Sequence, residues 1–191
     1  MLRLAKTFEL LTAALERLRI RYVVVGSVAS SAHGSYRATE DIDVVASILP
    51  GQAAELVQAL GKDWYADAEQ IRDSTFEGRA FNVIYIPFSQ KVDIFPVKDE
   101  FTLAQLEHAT TLALPALGAN AAYPVASAED IVLAKLQWYK AGGETSERQW
   151  TDIVKVILAT PRMDWAYVES WAPRLGVDGL LARARAAAKA D

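Results

Sequence analysis

Apolar positions recur along this chain in two rhythms, and the change between them divides it. Over residues 7–18, Phe8, Leu11, Leu15 and Leu18 fall at spacings of three, four and three, the pattern of an amphipathic helix. Residues 21–25 are a short, largely β-branched run that reads as a strand, and Gly26 ends it. Ser27 then suits the N-cap of a helix reaching about His33, with small residues Ala29, Ser30, Ser31 and Ala32 allowing close packing and Gly34 closing it. A second strand is expected over residues 40–47. Pro50-Gly51 turns the chain into a helix over residues 52–60, which stops at Gly61. Residues 64–78 carry no clear period. Residues 80–86 and 91–95 read as strands paired in a hairpin, with Pro87 ending the first. Residues 101–108 look helical, and two short apolar runs follow around Gly118-Ala119-Asn120.

Beyond residue 125 the rhythm is helical throughout. Ser127 with Asp130 has the spacing of a capping box, with Asp in the place of the preferred Glu or Gln, ahead of a helix to about Lys140. Ser146 can cap the next, in which Trp150, Ile153, Val154, Ile157 and Leu158 form one stripe before Pro161. Residues 165–171 and 180–190 are further helical stretches. The expected architecture is an α/β (α+β) core with a mixed sheet in residues 1–125, and a C-terminal helical subdomain in residues 126–191. The active cleft is expected between the two.

Composition narrows the chemistry. An apolar fraction of 52% and a charged fraction of 23% are ordinary for a folded domain. Cys is absent and only His33 and His108 carry imidazoles, so thiol nucleophiles and His-rich zinc sites are excluded; a metal here is a hard, oxygen-bound cation. Charges at Lys6, Glu9, Glu16, Arg17 and Arg19 interrupt the N-terminal apolar run, so a soluble cytoplasmic protein with no membrane partner is expected. The net charge of -4 gives no global pull toward nucleic acid. The local basic clusters, Arg17, Arg19 and Arg21, then Arg183, Arg185 and Lys189, read as solvated helix faces. The five tryptophans read as packing residues, Trp138 and Trp150 lying close to apolar faces.

One feature resists a purely structural account. Asp41 and Asp43 stand two residues apart in an apolar strand, so their side chains share a face. Such a pair is costly unless a cation or donor compensates it. Asp93, flanked by Val92 and Ile94, offers a third carboxylate on a later strand. If the three converge, Mg²⁺ is the ordinary counter-ion. The turn at Gly26-Ser27 supplies a complementary half, since a helix starting there presents free backbone N–H groups to phosphate. Phosphate anchoring and metal binding together imply a nucleoside triphosphate.

These residues carry a resemblance. An apolar strand, Gly26-Ser27, thirteen intervening residues, Asp41-Ile42-Asp43 and a later strand aspartate in KVDIF resemble the DNA polymerase β-like nucleotidyltransferase superfamily. The stretch HGSYRATEDID looks most like its abortive-infection and toxin-type members. The segment EDIVLAKLQWYKAGGETSERQWTDI is similar to their helical part, but it departs from the commoner Arg-Asp-x-x-Asp form at Arg148-Gln149-Trp150-Thr151-Asp152. The resemblance implies transfer of a nucleoside monophosphate from an NTP such as ATP to a hydroxyl on tRNA, protein or a small molecule, with two Mg²⁺ (or Mn²⁺) ions held by Asp41, Asp43 and Asp93. It further implies that Gly26, Ser27, Arg37, Thr39, Lys135, Arg148 and Asp152 contact the nucleotide, and that a cognate antitoxin exists if the protein is a toxin. Simpler roles stand beside these: Arg37 neutralising Glu40 or Asp41, Lys135 solvated on its helix, and Arg148 and Asp152 joined as a local i, i+4 pair. A rival from another class keeps the fold and loses the chemistry, as a nucleotide-binding or partner-binding protein.

Overall fold

The computed structural model describes residues 2–34, 41–114 and 122–190. Helix α1 (Leu2–Arg17) starts earlier than the apolar spacing alone predicts, and buries Leu4, Phe8, Leu11 and Leu15. Strand β1 (Tyr22–Val25) is buried at all four positions. Helix α2 (Gly26–Ala32) follows without a break, so Ser27 lies inside its first turn and not at the N-cap position predicted for it. Strand β2 (Ile42–Ala46) comes next, and a 3-10 turn at Pro50–Gln52 leads into α3 (Ala53–Leu60).

The stretch without a readable period forms β3 (Trp64–Tyr65) and α4 (Ala68–Phe76). The Asp67 side chain caps α4 by accepting from the Gln70 N–H, which satisfies one of the otherwise orphaned first-turn donors. Strands β4 (Phe81–Tyr85) and β5 (Gln90–Pro96) form the expected antiparallel hairpin across a 3-10 turn at Ile86–Phe88. Helix α5 (Glu100–Glu107) is capped by Asp99 and packs against β1 and β2. The two apolar runs beyond it contain β6 (Thr110–Ala113) and β7 (Ala122–Val125), paired antiparallel.

Among the described residues these strands make one seven-stranded sheet in the order β3-β4-β5-β2-β1-β7-β6. The β2–β5 and β1–β7 pairs are parallel and the remainder antiparallel, so the sheet is mixed and the α/β (α+β) expectation holds. The central strands are the most apolar because both of their faces are covered. Val23, Val24, Val44, Val92 and Ile94 are all below 4% exposed, which leaves little room for uncompensated charge along them. Phe8 of α1 meets Tyr123 and Tyr22 edge-on, at centroid separations of 4.8 and 6.4 Å. Each fully buried aliphatic or aromatic side chain of this kind contributes about 1.5–3 kcal/mol.

The described residues fall into two compact units, one within Met1–Val28 and Ala38–Ala126, the other within Ala29–Arg37 and Ser127–Asp191. The second contains α6 (Ala128–Ala141), α7 (Glu147–Ala159), α8 (Trp165–Trp171) and α9 (Asp178–Ala190). Ser127 caps α6 as its spacing predicts: its Oγ accepts from the Asp130 N–H and donates to Asp130 Oδ2 at 3.0 Å. The Tyr167 hydroxyl donates to Asp130 Oδ1 at 2.7 Å, so this fully buried carboxylate is bonded at both oxygens and ties α8 to the start of α6. Helix α7 buries Ile153, Val154, Val156 and Ile157, while Leu158, predicted to join that face, is exposed. Trp150 lies against Tyr139 at 5.3 Å, whereas Trp138, expected on an apolar face, is 59% exposed. No described helix is long and apolar enough to cross a membrane.

Candidate functional site

Strand pairing settles which of the acidic residues are neighbours. Asp43 of β2 and Asp93 of β5 are register partners on adjacent parallel strands, so their side chains leave the sheet side by side on one face. Antiparallel pairing sets Val25 beside Asp43 on the other flank, and Asn82 of β4 opposite Asp93. One row across four strands therefore reads Asn82, Asp93, Asp43, Val25. Asp41 precedes β2 by one residue and is exposed, and both Asp43 and Asp93 are half-buried.

Gly26 follows directly from Val25 and lies hard against this row. Its φ is +64°, and a Cβ placed on it would sit 2.1 Å from Asp43 Oδ2 and 2.9 Å from Asp43 Cβ. Only glycine leaves the Asp43 carboxylate where it stands, because the position demands both a left-handed backbone and the absence of a side chain. Strand, glycine and acid thus form one packed unit. Ser27 and Val28 continue into α2 from there.

Like charges side by side on neighbouring strands are destabilising. A lysine answers them. Lys91 alternates with Asp93 along β5, and its Nζ lies 2.7 Å from Asp93 Oδ2. The amine holds its proton above the ordinary lysine range, first through that hydrogen bond and then through the charges of Asp93, Asp41 and Asp43; partial desolvation opposes the effect. The close partner of that ammonium is Asp93, with Asp41 and Asp43 contributing at longer range.

Among the described residues, no group of three or more His, Asp or Glu side chains is gathered closely enough to hold a metal by itself. The donor set nevertheless suits Mg²⁺, which commonly takes one or two carboxylates and completes its shell with water and substrate phosphates. Two in-register carboxylates, with a glycine in place of a blocking side chain, fit that open type of site.

The second unit carries the other expected nucleotide contacts. Lys135 of α6 and Asp152 of α7 form an ion pair, Nζ to Oδ2 3.1 Å, with side chains 13% and 8% exposed. Lys135 is thus largely buried, not the solvated helical lysine that its position alone suggests. Arg148 is exposed near the start of α7. Arg37 and Thr39 lie outside the described residues. Lys91 and Asn82 were not singled out from the sequence, although the period-two rule that puts Asp41 and Asp43 on one face also joins Lys91 to Asp93.

Comparison with known proteins bears on the fold. No family model matches the chain, and a search of curated proteins finds no match. Solved structures do resemble it. A solution structure of the antibiotic-resistance factor ANT(2'')-Ia aligns over 97% of this chain and 94% of its own, with a TM-score of 0.52 and 12% identity. A crystal structure of an antigenic nucleotidyltransferase-like protein from Paracoccidioides brasiliensis aligns over 95% and 91%, with a TM-score of 0.54 and 18% identity. The chain has the nucleotidyltransferase fold.

Proposed function

We propose that this protein is a Mg²⁺-dependent nucleotidyltransferase that moves a nucleoside monophosphate from an NTP to an acceptor hydroxyl, on tRNA, protein or a small molecule, and releases pyrophosphate. The observation that carries the reading is the Asp43–Asp93 register, with Gly26 packed against Asp43. Asp41, Asp43 and Asp93 would hold one or two Mg²⁺ ions, which when bound neutralise charge on the triphosphate and polarise the α-phosphoryl group. Asp93 would accept the proton of the attacking hydroxyl. A new oxygen–phosphorus bond then forms at the α-phosphorus, as the bond to the pyrophosphate oxygen breaks. Ser27, Arg37 and Thr39 would contact phosphate oxygens, a role for which the planar donor fork of Arg is well shaped. The nucleotide contacts expected of Lys135, Arg148 and Asp152 come from the sequence resemblance. Membership of the toxin-type branch, and with it a cognate antitoxin, rests on the sequence resemblance alone.

The test is incubation with each α-labelled triphosphate and Mg²⁺ against tRNA, extract proteins and small-molecule hydroxyl compounds, with pyrophosphate release followed in parallel. Asp43→Asn should lower transfer by about 100-fold or more, the scale on which loss of one charge-stabilising group acts, while circular dichroism and melting stay native. Undiminished transfer by an Asp41→Asn/Asp43→Asn double variant would refute the assignment. The partner-binding rival predicts no transfer to any acceptor and no heat from titration with triphosphate and Mg²⁺.

A further inference from the structure

Asp93 already has a cationic partner that belongs to the chain. The Lys91 ammonium lies 2.7 Å from Asp93 Oδ2, and the lysine side chain is 48% exposed against 23% for the aspartate. The anchor is therefore the better buried of the two, and the cation sits on a flexible four-carbon stem that can swing into solvent. The parallel register pairs Ile42 with Val92 and Asp43 with Asp93, and Asp41 directly precedes the first of these pairs. An ordinary surface ion pair has no third party. Here Asp93 stands in register with Asp43, so the ammonium lies beside a pair of carboxylates and occupies one of the two Asp93 oxygens that another cation could use.

We propose that Lys91 is a tethered counter-ion: it holds Asp93 while no divalent cation is bound, is displaced when one arrives, and thereby sets how tightly the carboxylates take that cation. Lys91 is a positioning residue in this account, acting through Asp93. The proposal rests on the nucleotidyltransferase reading only in taking Asp43 and Asp93 as cation ligands. It goes beyond that reading by giving the cluster an internal competitor, which compensates Asp93 without metal and weakens the apparent affinity for a divalent cation.

The test uses the full chain and Mn²⁺ alone, followed by titration calorimetry at low salt, for the native protein and for Lys91→Gln, Lys91→Met, Lys91→Arg and Asp43→Asn. Removing an exposed competing charge should tighten Mn²⁺ binding by about 3- to 10-fold in both neutral variants, within the range that single charge pairs reach. Lys91→Arg, which keeps the charge, should stay near the native affinity. In chelator the neutral variants should melt below the native protein, and saturating Mg²⁺ should raise their melting temperature by more than it raises the native one. Equal or weaker Mn²⁺ binding by Lys91→Gln and Lys91→Met overturns the proposal. Asp43→Asn separates the two levels: if it loses Mn²⁺ while the Lys91 variants are unchanged, only the Lys91 proposal falls. If Asp43→Asn binds Mn²⁺ as the native chain does, the carboxylates are not a cation site and both readings fall.

Discussion

Gly26→Ala probes the closest approach in the candidate site, and its cost divides into two parts. The backbone part comes from a φ of +64°, a region that costs an L-residue about 1–2 kcal/mol. The steric part comes from Asp43. A new Cβ would lie 2.1 Å from Oδ2, 2.8 Å from Cγ and 2.9 Å from Cβ of that residue. Rotating the carboxylate clears its oxygens and does not move its Cβ, which the β2 backbone holds in register with both β1 and β5. The strands must therefore yield slightly, an overpacking cost of about 1–3 kcal/mol. The sum is about 2–5 kcal/mol. Gly143 is the control: its φ is +74° and nothing lies within 4 Å of the point where a Cβ would stand, so Gly143→Ala should cost the backbone part alone. Urea denaturation of both variants, with far-ultraviolet dichroism and tryptophan fluorescence, reads the difference. Mn²⁺ titration reads whether the Asp43 carboxylate has moved, and Gly26→Ala should lose cation affinity where Gly143→Ala retains it. A Gly26→Ala protein as stable as Gly143→Ala, with native Mn²⁺ affinity, would refute the claim that glycine is needed here to seat Asp43.

Two further outcomes follow from the described side chains. Lys135→Met or Asp152→Asn should each destabilise the second unit by about 1–3 kcal/mol, the scale of a lost charged hydrogen bond between largely buried groups, as urea titration of both variants would show. Alkaline stability should fall through Tyr22 and Tyr167, whose phenols are pushed up by burial first and then by Glu16 and Asp130 respectively. A phenol with a raised pKa in the fold binds its proton more tightly when native, so its contribution is complete below about pH 10, the unfolded value, and is lost as pH rises beyond it. Melting from pH 8 to pH 11 should therefore decline less steeply in Tyr22→Phe and Tyr167→Phe than in the native chain.

The parts of the fold that periodicity revealed are those in which a local apolar pattern and the final packing coincide. Helices α1, α3 and α7 and strands β1, β4 and β5 each show one buried face within a few residues of sequence. Helix α4 was invisible because it has almost no such face: Ile71 and Ser74 are its buried residues, and Phe76, its largest apolar side chain, is 82% exposed. What holds it is the Asp67 cap and packing against β4 and α3, neither of which leaves a 3.6-residue signature. Strands β6 and β7 were legible only as apolar runs, since β7 joins the sheet through a parallel contact with Val24 of β1, about a hundred residues away in sequence. Local rules also favoured the wrong neighbour for Asp152. Arg148 lies one helical turn away, yet the close ion pair reaches Lys135 on the preceding helix, because α6 and α7 pack against each other.

The carboxylates illustrate what alternation can and cannot decide. Period two assigns Asp41 and Asp43 to one face, but which strand lies beside β2 is a question of topology, and the parallel β2–β5 pairing that brings up Asp93 has no local signal. A physical constraint narrows the choice all the same. A sheet that folds without ligand has to compensate clustered acids from its own residues, so a cation must be sought on the same face within one or two positions of each aspartate. Applied to KVDIF, that rule selects Lys91, the basic residue on the side chain's own alternation with Asp93. On the proposal above, Lys91 is that compensating residue for Asp93. A divalent cation binding at Asp93 would have to compete with that ammonium group, which lowers its apparent affinity by a constant factor. A surface ion pair with no second carboxylate in register would impose no such competition, and its removal would leave Mn²⁺ affinity where it was.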